Sequence, residues 1–132
     1  MIWGFVLNAL WEALQTPLYA DSDREPSHLL WTRLHCTVGD VLILLGCFWA
    51  VSALWRDRQW FYRREGCRAP LFVGFGLAYT AASELYNTRL AHAWAYGPQM
   101  PRLFGVGLAP LLQWLVLPSI LLIVLRRSPM PP

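Results

Sequence analysis

The sequence predicts an all-α fold: a polytopic membrane protein built as one four-helix transmembrane bundle. Of its 132 residues, 56% are hydrophobic and eight are tryptophan, a composition too apolar for an ordinary small soluble protein. Four segments approach the roughly 20 apolar residues that a helix needs to cross a bilayer. We predict one membrane domain over residues 1–127 and a disordered Pro-rich tail over 128–132, with spans at about 2–20, 36–55, 70–89 and 104–125.

The first span carries a stripe of polar side chains within the stretch NALWEALQTPLY. Asn8, Glu12, Gln15 and Tyr19 follow one another at intervals of four, three and four residues, which puts them on one face of a helix. A cleavable signal peptide is the alternative for this segment, but a basic n-region is missing and Glu12 interrupts the apolar core. The stripe therefore predicts a span that faces a polar site.

The second and third spans each add a carboxylate. Cys36 and Asp40 share a face of the second span, which contains VLILLGCFWAVSALW, and Thr80, Glu84 and Asn87 recur at intervals of four and three in the third. An ionisable group inside a bilayer is costly unless it is paired or hydrated. Each of these carboxylates therefore marks a candidate functional site.

The fourth span, with LLQWLVLPSILLIVL, combines small residues, prolines and an amide. Gln113 ends a track of small residues that begins at Gly105, and such a track lets a neighbouring helix or a ligand approach closely. Pro110 and Pro118 predict kinks that free backbone carbonyls toward the bundle interior. Trp114 offers an aromatic face that can line an apolar ligand and stabilise a cation.

The carboxylates of three spans are the predicted catalytic groups. Glu12 and Glu84 are the acid/base candidates and Asp40 the orienting acid, because a protonated and an ionised carboxyl side by side form an acid/base pair. At 1.5 Å of rise per residue, the polar groups of all four spans fall in the outer half of the bundle. No arginine is expected at that depth, although Arg33 and Arg89 lie at the outer rim.

Seven further side chains are the predicted ligand contacts. Most would serve as hydrogen-bonding groups, and the indole would form an apolar wall. The alternative is that the amides only hold the helices together, at about 0.6 kcal/mol per contact. The predicted contacts are Asn8, Gln15, Tyr19, Thr80, Asn87, Gln113 and Trp114.

A metal site is a second alternative for the outer side of the bundle. His35, Cys36 and His92 fall near Asp40 and Glu84, and imidazole, thiolate and carboxylate are all plausible ligands. No pair among them has a ligand spacing such as HxxxH or CxxC. We therefore predict neither a metal nor another cofactor.

The arginines predict orientation rather than nucleic-acid binding. All eleven basic residues are arginine, they lie between the apolar segments, and the net charge is only +3. Seven of them fall in the loop RDRQWFYRREGCR and the C-terminal tail, against four in the other two connections, which predicts that both termini are cytoplasmic. The segment WAYGPQMPRLFGVGLAPLLQWLVLP resembles small bacterial membrane proteins, which implies a bacterial inner membrane.

Three short motifs lie in the second, third and fourth spans: GCFWAVSALW at 46–55, SELY at 83–86 and QWLVLP at 113–118. They resemble the emopamil-binding (EXPERA-type) family of four-helix membrane proteins, which includes sterol isomerases and sigma-2-receptor-like proteins. The resemblance implies a cavity open to lipid, with Glu12 and Glu84 as acids and Trp114 facing a carbocation. Asn8 stands where the family has a histidine and cannot move a proton, so the resemblance supports ligand binding better than sterol isomerisation.

The function expected from these patterns is an intramembrane polar site for a small hydrophobic, sterol- or terpenoid-like ligand, with proton-transfer isomerase activity as its catalytic form. Its partners would be membrane lipid and that ligand, together with a second copy or another membrane subunit. One alternative is an accessory subunit whose polar stripe pairs with a partner helix. Another is a metal or proton carrier, although four short spans without an inverted repeat argue against an alternating-access transporter.

Overall fold

The computed structural model describes residues 2–62 and 66–127, which form four α-helices and one short hairpin. The chain is mostly helical, as predicted, and the tail predicted to be disordered at 128–132 lies outside the described residues. The helices are α1 (Ile2–Gln15), α2 (Pro26–Trp55), α3 (Arg68–Arg89) and α4 (Leu108–Arg127). The hairpin strands are β1 (Arg102–Leu103) and β2 (Val106–Gly107).

α1 is shorter than the predicted span because a proline follows it. The helix ends at Gln15 and continues as one 3₁₀ turn over Thr16–Leu18, which contains Pro17. Proline lacks an N–H and disfavours helical geometry in the residue before it. At 1.5 Å per residue α1 is about 21 Å long, and Glu12 lies only three residues from its end.

α2 begins ten residues earlier than predicted. Pro26 occupies its first position, where the missing N–H removes no helical hydrogen bond. The helix ends before Arg56, whose φ of 50° lies in the left-handed region. Its 30 residues span about 45 Å, more than the roughly 30 Å of a bilayer core. The added turns carry Arg33, which becomes important at the site.

α4 begins four residues later than predicted because the hairpin precedes it. The turn of this hairpin consists of Phe104 and Gly105, whose φ angles are 51° and 85°. Gly105 therefore lies outside the helical face of Gln113, and the predicted track of small residues is wrong at this position. Pro110 falls in the first turn of α4, where no intrahelical N–H is lost, whereas Pro118 lies inside the helix.

The helices pack in chain order, each against the next, and α4 returns to pack against α1. At one end of the bundle, the Nε of Arg126 near the end of α4 donates to the carbonyl of Phe61 in the α2–α3 connection, at 2.8 Å. At the other end the remaining two connections pair: Ala20 N donates to Ala95 O at 2.9 Å, and Gly97 N donates to Leu18 O at 2.8 Å.

The surface of the bundle is apolar, while one end of its interior is polar. Large hydrophobic side chains are exposed along α1, α2 and α4, such as Ile2, Leu42 and Leu115. Among the described residues, two helices, α2 and α4, are long and apolar enough to cross a membrane. The buried polar side chains are Asn8, Glu12, Gln15, Thr37, Ser52, Thr80, Glu84 and Gln113.

An aromatic core fills the end of the bundle near the α2–α3 connection. Trp60 is fully buried there, and its indole N–H donates to Ser52 Oγ at 3.1 Å. Its ring packs against Phe48 and Phe72 with centroid distances of 5.8 and 5.4 Å. We call this region the aromatic end; the opposite end contains the candidate site.

Candidate functional site

A cavity of about 720 Å³ lies at the end of the bundle opposite the aromatic end. All four helices line it, together with the α1–α2 and α3–α4 connections. Its walls include Glu12 of α1, Asp40 of α2 and Glu84 of α3. The structure thus brings together the three predicted carboxylates, which are separated by 28 and 44 residues in the sequence.

Glu12 is oriented by a chain of side-chain hydrogen bonds along α1. Trp11 Nε1 donates to Gln15 Oε1 at 3.2 Å, and Gln15 Nε2 donates to Glu12 Oε1 at 2.7 Å. The indole can only donate, so it fixes the orientation of the Gln15 amide and directs its N–H group to Glu12. Gln15 therefore positions the carboxylate instead of facing the cavity, whose lining contains Glu12 but not Gln15.

An arginine lies beside Glu12, contrary to the sequence prediction. Arg33 Nη1 is 3.7 Å from Glu12 Oε2, and Arg33 Nη2 binds Asp21 Oδ1 at 2.7 Å. The guanidinium carbon also stacks over the Tyr19 ring, 5.0 Å from its centroid. The prediction failed because α2 begins ten residues earlier than expected, so Arg33 lies on a helix that packs against α1 rather than in the connection.

Glu84 is held by two aromatic donors from the α3–α4 connection. Tyr96 donates its hydroxyl to Glu84 Oε2, and Trp94 Nε1 donates to the same oxygen at 3.4 Å. Burial, and then the hydrogen bond to Glu84, raise the pKa of Tyr96, so this phenol stays protonated and remains a donor. Sequence reasoning missed both residues because they lie outside the helices and follow no helical spacing.

Gln113 joins three helices at the base of the cavity. Its Nε2 donates to Asn8 Oδ1 at 2.9 Å and to Asp40 Oδ2 at 2.7 Å, and Asn8 Nδ2 in turn donates to the carbonyl of Gly4 at 2.7 Å. Asn8 is buried and does not line the cavity. It orients Gln113, which lines the cavity and in turn orients Asp40, so these three side chains form one hydrogen-bonded network at the cavity wall.

The four remaining predicted contacts all line the cavity, and one of them also makes hydrogen bonds within its own helix. Thr80 and Trp114 are buried and line the cavity, and Tyr19 lines it beside Tyr96, with ring centroids 5.8 Å apart. Asn87 also lines the cavity, but its Nδ2 donates to the backbone carbonyl and the hydroxyl of Ser83, one turn earlier on α3.

The histidines and the cysteine of the metal alternative are scattered around the mouth. His35 and His92 are exposed, and Cys36 is half-buried. Across residues 2–62 and 66–127, no group of three or more His, Cys, Asp or Glu side chains is arranged to hold a metal ion. The structure therefore gives the metal alternative no support.

Comparison with protein-family models, with curated proteins and with solved structures gave no match. The functional assignment therefore rests on the geometry of the cavity. That geometry offers three carboxylates in different surroundings: Glu12 beside a guanidinium, Asp40 held by an amide and Glu84 held by two aromatic donors.

Proposed function

We propose that this chain is an integral membrane protein whose four helices cross a bacterial inner membrane. The exposed apolar side chains around the bundle support this, because a soluble protein rarely leaves an apolar surface of such extent in water. α2 and α4 have the length and hydropathy for a span. α1, at about 21 Å, is shorter than a bilayer core of roughly 30 Å and would be accommodated by local thinning of the bilayer.

Both termini and the aromatic end would face the cytoplasm. The aromatic end carries Arg56, Arg58 and Arg68, with Arg126 and Arg127 at the end of α4. The arginines at the other end are fewer, and Arg33 there is paired with acids. This asymmetry favours a cytoplasmic aromatic end by the positive-inside rule, so the cavity would open toward the outer side of the membrane.

The cavity would bind a small, largely apolar molecule that carries one polar group, of sterol- or terpenoid-like size. The observation that carries this proposal is the convergence of carboxylates from three helices on one cavity of about 720 Å³. Ligand sites typically enclose roughly 300–1,000 Å³, and the walls here combine polar side chains with apolar ones such as Ile43, Tyr79 and Trp114. Tyr79, exposed on α3 and also lining the cavity, marks a side on which a lipid-soluble ligand can enter.

As an enzyme, this protein would catalyse the acid/base isomerisation of an alkene in the bound ligand. One carboxyl would protonate one alkene carbon, which leaves a cation on the other alkene carbon, and a second carboxylate would remove a proton from the next carbon beyond that cation. The double bond thereby moves by one position, and no redox partner is needed. Glu12 and Glu84 would fill these roles, and Asp40 would orient the ligand. The Trp114 face would stabilise the intermediate cation, and the proton would then return from base to acid.

Native mass spectrometry of the gently extracted protein tests ligand binding. We expect a bound small apolar molecule that disappears in the double variant Glu12→Gln, Glu84→Gln. The matched control is Asp23→Asn, Glu25→Gln, which also removes two carboxylates but at exposed positions outside the cavity. Wild-type protein that carries no ligand but retains another protein chain through detergent would refute ligand binding and favour the accessory-subunit function.

A further inference from the structure

The charged residues of the chain are distributed unevenly between the two ends of the bundle. By sequence, the segments 56–68 and 126–127, which belong to the aromatic end, contain seven arginines and two acids, a net charge of +5. The rest of the chain contains four arginines and six acids, a net charge of −2. The aromatic end therefore has a positive charge that its own acids do not neutralise.

Arg58, just beyond the end of α2, folds back along that helix. Its guanidinium carbon lies 5.3 Å from the centroid of the Trp49 ring. Trp49 precedes the last residue of α2 by about 9 Å at 1.5 Å of rise per residue, and it is 50% exposed on the surface of the bundle. The charge of Arg58 is therefore held beside an apolar surface of the helix instead of extending into water.

The hydrogen-bond donors of Arg58 are free. Stacking uses the face of a guanidinium, whereas its N–H groups point outward in the plane of the group. Within residues 2–62 and 66–127, no carboxylate pairs with Arg58 and none of its N–H groups donates to the chain. Arg68 differs, because it stacks over Trp55 at 5.8 Å and is also 3.8 Å from Asp57.

An anion attached to an apolar chain fits the pair of Arg58 and Trp49. Two oxygens of a phosphate can accept parallel hydrogen bonds from the edge of a guanidinium, and an acyl chain can pack against the exposed indole. Tryptophan typically lies at the level of the lipid head groups, and clustered arginines attract anionic lipids. A zwitterionic lipid brings a cation of its own, which the net charge of this end repels.

We propose that the aromatic end binds an anionic phospholipid of the surrounding bilayer, with its phosphate on the free edge of Arg58 and an acyl chain against Trp49. This rests on the proposed insertion of the chain in a membrane, and it is independent of the ligand in the cavity at the other end. The lipid supplies the negative charge that the acids of this end do not.

Native mass spectrometry of the unmodified chain tests the choice of lipid. The protein is placed in nanodiscs of equal parts phosphatidylglycerol and phosphatidylcholine with identical acyl chains, and the lipids that it retains on ejection are counted. We expect phosphatidylglycerol to be retained about fivefold more often than phosphatidylcholine, the factor that corresponds to about 1 kcal/mol for one arginine at an anionic bilayer surface.

Three variants test the position of the lipid. Arg58→Gln removes the charge and the planar donors, so the preference for phosphatidylglycerol should be lost. Arg58→Lys keeps the charge but not the planar group that stacks on Trp49 and binds a phosphate through two bonds, so it should restore the preference only in part. The matched control is Arg102→Gln: Arg102 is exposed and stacks over Tyr96 at 5.3 Å, but at the cavity end, and this variant should keep the full preference.

The outcomes separate this inference from the proposed function. If the inserted protein retains both lipids equally, or if Arg58→Gln keeps the full preference, the lipid site is wrong while membrane insertion and the cavity ligand are unaffected. Full preference in Arg58→Lys, or equal losses in Arg58→Gln and Arg102→Gln, would mean that net charge alone selects the lipid and would refute the site at Trp49. Protein that does not insert into nanodiscs would refute the membrane proposal as well.

Discussion

The interiors of the two ends of the bundle differ: one is a packed apolar core and the other is a polar cavity. At the aromatic end, Trp60 and Val51 are fully buried, Phe72 and Leu122 are nearly so, and the contacts are almost entirely apolar. At the cavity end, the interior contains carboxylates and amides joined by hydrogen bonds around an open space of about 720 Å³. The same helices, only a few turns apart, change from a packed core to a polar site.

From this difference we infer that the aromatic end contributes mainly to the stability of the bundle, and the cavity end mainly to the proposed ligand binding. In the bilayer that we propose for this chain, the hydrophobic effect would not drive helices together, so association would depend on close packing and interhelical hydrogen bonds. The aromatic end supplies the packing, and Gln113 supplies hydrogen bonds between helices at the cavity end. Changes at the aromatic end should therefore reduce stability, whereas changes around the cavity should reduce binding more than stability.

The largest expected effect is that of Trp60→Ala. Truncating a buried tryptophan typically lowers the free energy of unfolding by about 3–5 kcal/mol, and here it also removes the hydrogen bond to Ser52. Denaturant unfolding in detergent measures this loss, and any probe that binds the cavity should keep its affinity in protein that remains folded. A loss below about 1 kcal/mol would contradict the role given to the aromatic end.

Gln113→Leu should have the next largest effect and act at the opposite end. It removes the donor to both Asn8 and the Asp40 carboxylate, and an unsatisfied buried group costs about 1–3 kcal/mol, more when it is charged. We expect a lower unfolding free energy together with lost ligand affinity. Gln59→Leu, at an exposed position, is the control; equal unfolding curves for the two variants would show that the network is not stabilising.

Gly76→Ala tests the boundary between the two ends. A Cβ at Gly76 would collide with the ring of Trp114, which belongs to both the core and the cavity wall. Overpacking of this kind costs about 1–3 kcal/mol. Gly74→Ala, where a Cβ meets nothing within 4 Å, should instead be neutral or stabilising by up to about 1 kcal/mol. Identical thermal stability of the two variants would contradict this account of Trp114.

The smallest expected stability effect is that of Tyr96→Phe. It removes one donor from Glu84 and leaves Trp94 in place, so the unfolding free energy should fall by only about 0.5–1.5 kcal/mol. Ligand affinity should change at least as much, because the orientation of Glu84 is altered. Tyr86→Phe, on an exposed face of α3, should change neither quantity. An effect of Tyr96→Phe on stability alone would contradict a role for Glu84 at the ligand site.

The sequence predicted the helical face of each carboxylate but not its partners. Helical spacing was enough to bring Glu12, Asp40 and Glu84 to one cavity, because residues three or four apart share a face. Arg33 was missed because Pro26 permits α2 to begin early, which apolar periodicity does not indicate. Tyr96 and Trp94 were missed because loop residues reach the site through the pairing of two connections, which no local pattern encodes.

The native cysteines allow a direct test of the central claim, that the two ends of the bundle lie on opposite sides of a membrane. Cys67 is exposed near the aromatic end, Cys36 is half-buried on the cavity wall, and Cys47 is buried between them. A charged, membrane-impermeant maleimide is applied to right-side-out and inverted vesicles. We predict that Cys67 reacts only in inverted vesicles, Cys36 only in right-side-out vesicles, and Cys47 in neither. Labelling of Cys36 and Cys67 from the same side would contradict the account.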